Sequence, residues 1–232
     1  METLEKQITK EITTENQITQ LNNTIEKYLL NLQKINLNSN FPQKIEIVKT
    51  PQDFIEVIKL RSKIFSQVKG FNQEYPEKIP GFQYDIFDPN SIILIHKTNK
   101  RIDGTIRLIL DSKIGIQSEH KFSTPTTITN LRKQYNPHTN PLAELTRLAI
   151  SQNARGQKLT QKLISCCANL SFKLDVGTII SAPTIQTFYK FFNPFEMEII
   201  DTHENYGHLN YPGFISKWDK KIYKNHQLRG NF

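Results

Sequence analysis

Apolar residues recur along this chain with two periods, and the change from one to the other marks where helices give way to strands. From Leu4 to Leu32 the spacing is helical: Leu4, Ile8 and Ile12, then Ile18, Leu21, Ile25, Leu29 and Leu32. The other positions are Gln, Asn, Thr, Lys and Glu, so the segment reads as an amphipathic helix. β-Branched Thr13-Thr14 is its expected weak point. The repeat is too short for a coiled coil, so packing on the domain is expected, with self-association as the alternative. Asn36 to Pro42 reads as a linker.

Beyond it the period shortens. Lys44 to Lys49 alternates and predicts a first strand. Thr50-Pro51 then supplies an N-cap and a proline at the first helical position, ahead of a helix through Phe54, Ile55, Ile58, Ile64 and Phe65 that carries Arg61. Val68 to Asn90, with Gly70, Pro76, Pro80, Gly81 and Pro89, is a long loop holding Asp85 and Asp88, and loops of that length are often functional. Ser91–His96 and Gly104–Leu110 predict a hairpin, with Arg107 mid-strand. Residues 111–141 are poorly patterned, apart from Phe122 and a short helix near Ile128 to Gln134.

Leu142 to Ile150 is the central strand. Strict alternation puts Leu142, Glu144, Thr146, Leu148 and Ile150 on one face and Ala143, Leu145, Arg147 and Ala149 on the other. Apolar residues on both sides make it internal to a sheet. A polar turn, Ser151 to Gln157, leads into a helix through Leu159, Leu163, Ile164 and Cys167. Gly177–Ala182 is a strand and Pro183–Phe192 a short helix with an aromatic face. Glu196–Asp201 and Phe214–Trp218 read as closing strands. The expected organisation is a helix and linker over 1–40, one domain over 41–219 and a basic tail over 220–232. This order of elements is α+β with a mixed sheet.

Composition narrows the function classes. The net charge is +8, and residues 1–37 hold more Glu than Lys, so the excess lies in the domain and tail. A basic body attracts phosphate-bearing ligands, an acidic protein or nucleic acid. Nucleic acid is not expected, because no zinc finger, aromatic RNA-binding motif or helix-turn-helix is present. No apolar run is long enough to span a bilayer, and no apolar signal core opens the chain. The cysteines, Cys166 and Cys167, are adjacent and unsuited to a disulfide, so a reduced, cytoplasmic setting is expected. His203 and His208 do not make a ligand set, and no metal site is expected.

The chemistry gathers around the central strand. A carboxylate and a guanidinium in mid-strand, Glu144 and Arg147, are costly unless paired or facing a cleft. A polar strand, a glycine-containing turn and a helix N-terminus together make an anion site with a base beside it. The order of elements resembles the GNAT acyltransferase fold, a mostly antiparallel central sheet flanked by helices. Arg155-Gly156-Gln157-Lys158-Leu159-Thr160 resembles that family's acyl-CoA pyrophosphate loop, although the family usually has small residues where this chain has Lys158 and Thr160.

A narrower likeness follows from four further motifs. Arg61, Phe65 and Phe71 reproduce the arginine and aromatic spacing of the acyl-homoserine-lactone (autoinducer) synthases, with Phe71 in place of tryptophan. Asp85 and Asp88 reproduce their acidic loop, Gly104-Thr105-Ile106-Arg107 their hairpin strand, and Glu144-Leu145-Thr146-Arg147 their Glu-x-Ser-Arg strand with Thr for Ser. The chain is similar to these enzymes and to the related long-chain N-acyl amino acid synthases.

That resemblance implies an N-acyltransferase moving a fatty acyl group from an acyl carrier protein or acyl-CoA to a small-molecule amine. The thioester is then a co-substrate, and no permanently bound cofactor is implied. Glu144 is the candidate catalytic base; its structural alternative is an ion pair with Arg107 or Arg147. Arg61, Phe65, Phe71, Asp85, Asp88, Arg107, Thr146 and Arg147 are candidates for the amine side, with a plain loop-anchoring network as the alternative for the charged members. Leu148, Ile150, Arg155, Gly156, Lys158 and Thr160 are candidates for the phosphopantetheine side. Two other functions remain open: an acetyl-CoA-dependent acetyltransferase of a polyamine or protein lysine, and a non-catalytic GNAT-like binding protein.

Overall fold

The computed structural model describes residues 4–35, 37, 41–42, 44–99, 101–121, 125–134, 141–156, 158–203 and 212–219, with main chain alone for 4–13, 74, 121, 125–127 and 134. Phe122, Gln157, His208 and the basic tail lie outside the described residues, as does part of the linker.

Helix α1 spans Leu4–Gln33 without a break at Thr13-Thr14. The β-branched penalty is only a few tenths of a kcal/mol per residue, too little to interrupt a helix anchored by packing. Leu21, Ile25, Tyr28 and Leu32 are buried on the domain, and the Tyr28 hydroxyl donates to the Val48 carbonyl at 2.9 Å. After strand β1 (Ile45–Ile47), helix α2 (Pro51–Phe65) starts as its cap predicts, with Thr50 Oγ1 accepting from the Asp53 amide. The long loop contains one turn of helix, α3 (Phe71–Glu74), and a 3-10 turn at Asp88–Asn90.

The hairpin is β2 (Ser91–Thr98) and β3 (Arg101–Leu110). Two short helices occupy the weakly patterned stretch: α4 (Gln117–Lys121) and α5 (Pro125–Gln134). Then come β4 (Leu142–Ile150), α6 (Leu159–Lys173) and β5 (Thr178–Ser181). One turn of helix, α7 (Ile185–Thr187), runs into a π-helical turn at Phe188–Phe192. Strands β6 (Glu198–His203) and β7 (Gly213–Asp219) close the chain.

The seven strands form one sheet in the order β1-β2-β3-β4-β5-β7-β6. Neighbouring strands are antiparallel except β4 and β5, which run parallel. The main core lies between the sheet and α1, α2 and α6, and includes Phe54, Ile58, Ile93, Leu108, Leu145 and Leu163. A smaller cluster, with Ile109, Ile116, Ile128, Leu142 and Ile180, fills the opposite face under α4 and α5. Gly104 is where α6 meets the sheet. A Cβ there would lie 2.9 Å from Ile150 Cδ1 and 3.0 Å from Leu159 Cδ2, so a larger residue would push the helix off.

Two irregularities open the sheet in the middle. β5 pairs with β4 only from Leu142 to Leu145, and β4 runs on to Ile150 paired with β3 alone. The β3–β4 ladder also slips: Thr105 pairs with Ala149 but Arg107 with Thr146. β4 therefore carries one extra residue at Arg147 and Leu148, with Arg147 at φ 53°. Such a bulge bends its strand and re-aims the side chains beyond it.

Candidate active site

The bulge corrects the strict alternation. Arg147 joins Glu144 and Thr146 on one face instead of opposing them: its Nη2 donates to Asp85, which also binds Arg107 opposite Thr146. Ile150 is displaced to the other face, against Gly104, Leu159 and Leu163. Period-two counting holds up to Thr146 and inverts beyond it, because a bulge adds one residue to the count.

Behind this face lies a chain of alternating charges. Arg61 donates to Asp88 at 2.8 Å, and both side chains are 0% exposed. Arg107 donates to Asp88 at 2.9 Å and to Asp85 at 2.6 and 3.1 Å. Arg147 donates to Asp85 at 2.8 Å. Arg107 also reaches Thr146 Oγ1 at 2.9 Å and Gln117 Oε1 at 2.8 Å. Burial pushes the Asp85 carboxyl up, but the Arg107 and Arg147 guanidiniums beside it more than offset this and hold it well below the usual carboxylate range. Burial lowers Arg61, against the attraction of Asp88. The opposed carboxylates outweigh the desolvation of Arg107 and raise it.

In front of the network is an aromatic wall. Phe65 and Phe71 stack at 4.5 Å, Phe71 and Tyr75 tilt together at 4.8 Å, and the Arg147 guanidinium lies 4.1 Å over the Tyr75 ring. Gln83, buried, donates to the Tyr75 carbonyl at 2.8 Å.

Glu144 has a different environment. It is 1% exposed, and neither Arg107 nor Arg147 pairs with it, so the alternative of an ion pair is not formed; both guanidiniums bind the aspartates. Its oxygens instead accept from Ser118, from Oγ at 2.6 Å and from the amide at 3.0 Å. Burial raises its carboxyl to about 7, against the pull of the Ser118 bonds and of Arg107.

Glu144 borders a cavity of about 1130 Å³ that runs through the gap between β4 and β5. Phe65, Phe71, Tyr75, Thr146 and Arg147 are among its lining residues. Leu148, Ile150, Arg155, Gly156, Lys158 and Thr160, all expected on the thioester side, line the same cavity. Gly156 (φ 86°) and Lys158 (φ 55°) are both left-handed, and Lys158 is the residue that precedes α6. That turn aims the helix N-terminus at the cavity, where its free amides suit a phosphate. Arg61, Asp85, Asp88 and Arg107 do not line the cavity; they stand behind its wall and hold the loop. Ser118, Gln117 and Tyr75 at the site, and Lys190, Phe191 and Phe192 along the cavity, are not among the candidates the sequence offers. The aromatic run after Pro183 was the signal for the last two. No group of His, Cys, Asp and Glu among the described residues is arranged to hold a metal ion.

Comparison with known proteins gives the family. Residues 56–217, which contain the charge network, the aromatic wall, Glu144 and the turn before α6, match the family of N-acyl amino acid synthase FeeM. The chain belongs to that family. It is an acyltransferase on the GNAT fold. In structure it is similar to FeeM, an N-acyl amino acid synthase from uncultured soil microbes, with a TM-score of 0.60 and 11% identity over 78% of this chain and 92% of that one. It is similar to the AHL synthase LasI, with a TM-score of 0.56 and 18% identity over 75% of this chain and 88% of that one. For ElaA of Escherichia coli the TM-score is 0.51 and the identity 13%, over 75% and 99%. At these identities the structural likeness speaks to fold alone. No curated protein matches the chain in sequence.

Proposed function

We propose that this member of the FeeM family joins a long-chain acyl group, delivered as a phosphopantetheine thioester on a carrier protein or CoA, to the amine of a small molecule such as an amino acid. One observation carries the reading. Glu144 is a buried carboxylate with no cationic partner, its pKa raised to about 7, at the edge of a cavity running through the gap in the sheet. A general base works best when its pKa lies near the working pH. The amine nitrogen attacks the thioester carbon and passes a proton to Glu144. The C–N bond forms, the C–S bond breaks, and the proton taken up by Glu144 passes to the departing sulfur, which leaves as the thiol.

The main-chain amides of β4 beyond its last pairing with β5 are the candidate donors to the thioester oxygen as it gains charge. Arg155, Lys158 and the turn before α6 take the pantetheine phosphate. Ile106, Leu145, Leu148 and Phe192 give the cavity the apolar walls that favour a long chain over acetyl.

The test is amine-dependent release of thiol from acyl thioesters of graded length. Release should require an amine and rise with chain length, and Glu144→Gln should slow it by about a hundredfold or more. Wild-type turnover by Glu144→Gln would remove Glu144 as the base. Equal use of acetyl-CoA would favour an acetyltransferase.

A further inference from the structure

Three consecutive residues of α4 are held from three directions. Gln117 accepts from Arg107 at 2.8 Å and donates to the Tyr75 hydroxyl at 3.1 Å. Glu119 accepts from Arg132 of α5 at 2.7 and 2.9 Å, and its Oε2 also accepts from the Ile116 amide at 2.8 Å. Arg132 in turn grips Asp111, just past the end of β3, at 2.8 Å. Ser118, between the two anchored residues, spends both its amide and its hydroxyl on Glu144.

A five-residue helix does not hold its own shape in water. The flanking arginines hold this one, and they reach it from opposite sides of Ser118. Gly115 fits the same purpose: it has φ +73°, and a Cβ there would meet Glu119 Oε2 at 2.2 Å. Only glycine lets Glu119 fold back to both Ile116 and Arg132.

We propose that Gln117-Ser118-Glu119 is a clamp that orients the base. Ser118 is a positioning residue that fixes the plane of the Glu144 carboxylate, and Glu119 with Arg132 is the pin that keeps Ser118 in place. The inference rests on the reading of Glu144 as proton acceptor. Two donors from Ser118 hold both carboxylate oxygens, the Gln117 amide of the same clamp adds a further hydrogen bond, and a lone pair is left to take the proton of the amine. Both donors also favour the ionised form, which is the form able to take a proton.

Removing the Ser118 hydroxyl withdraws a donor from the ionised carboxylate. In Ser118→Ala the acid limb of the kcat profile should therefore move up by about one pH unit, the effect of one hydrogen bond to a charged acceptor. Near neutral pH kcat should fall about tenfold, and KM for thioester and amine should stay within about twofold. Ser118→Thr keeps the hydroxyl and should restore both profile and rate. Arg132→Gln, outside the cavity, should shift the limb the same way by less, and it carries the test alone if Ser118→Ala fails to fold.

Glu144→Gln belongs in the same series. If Glu144→Gln is inactive while Ser118→Ala and Arg132→Gln keep the wild-type profile, the clamp is wrong and the base assignment stands. If Ser118→Thr is as impaired as Ser118→Ala, or the loss lies in KM, the clamp is likewise wrong. If Glu144→Gln turns over normally, the base assignment falls and the clamp with it.

Discussion

Asp85, partly buried, and Glu144, fully buried, are carboxylates on the same side of the same sheet, and the structure drives their proton affinities in opposite directions. Around Asp85, burial is outweighed by two guanidiniums, and the carboxyl is held well below its ordinary range. Around Glu144, burial wins over the donors from Ser118 and the Gln117 amide, and the carboxyl rises to about 7. The arginines make the difference. Arg61, Arg107 and Arg147 are all bound to the loop aspartates, so none is left to pair with Glu144. A permanently charged network and a group able to exchange a proton near neutral pH are thus built from the same residue types a few side chains apart. The network fixes the loop and the aromatic wall. The other carboxylate borders the cavity.

The comparison can be broken from the network side, where the largest effect is expected. Asp88→Asn removes the charge that holds Arg61 and one of the two that hold Arg107. It should cost about 3–5 kcal/mol in chemical denaturation, the usual result of leaving a buried charge unpaired.

The pH dependence of stability sharpens the contrast, because the signs differ. The folded Glu144 carboxyl keeps its proton up to about 7, whereas its ordinary value is 4.5. Between those values the folded state holds the extra proton, so stability present below the ordinary value is lost as pH rises through the folded one. The wild-type protein should lose on the order of 3 kcal/mol across that window, and Glu144→Gln should not. Asp85 is depressed, so its contribution is present above the ordinary value of 3.8 and is lost as pH falls below it. Glu144→Gln should keep that acid limb, as thermal melts from pH 3 to 8 can check.

The smallest effect is expected at the aromatic wall. Arg147→Lys keeps a positive charge near Asp85 but loses the guanidinium over the Tyr75 ring. It should cost about 1 kcal/mol, and it should move the KM for the amine more than that for the thioester.

Much of this arrangement was legible in the sequence. Thr50-Pro51 announced α2, and the apolar runs announced β2, β3 and β4. Arg61, Asp85, Asp88 and Arg107 were read as a network, and the structure joins all four. Phe65 and Phe71, which the resemblance to the autoinducer synthases singles out, stack in space. What stayed hidden depends on contacts distant in sequence. The bulge at Arg147 leaves the apolar pattern of β4 unchanged while turning the strand over beyond it. Helix α4 has almost no period to read in five residues, and its shape comes from Arg107 and Arg132. Hence the sequence points to the arginines of the sheet as partners for Glu144, whereas its partner is Ser118, in the stretch with least pattern.

The most direct test of the account is the single-turnover rate of acyl transfer to an amine as a function of pH, in the wild-type protein and in Glu144→Gln. The wild-type rate should rise through pH values near 7, as Glu144 ionises, and the variant should be about a hundredfold slower without that rise. A Glu144→Gln protein with the wild-type rate and the same acid limb would contradict it.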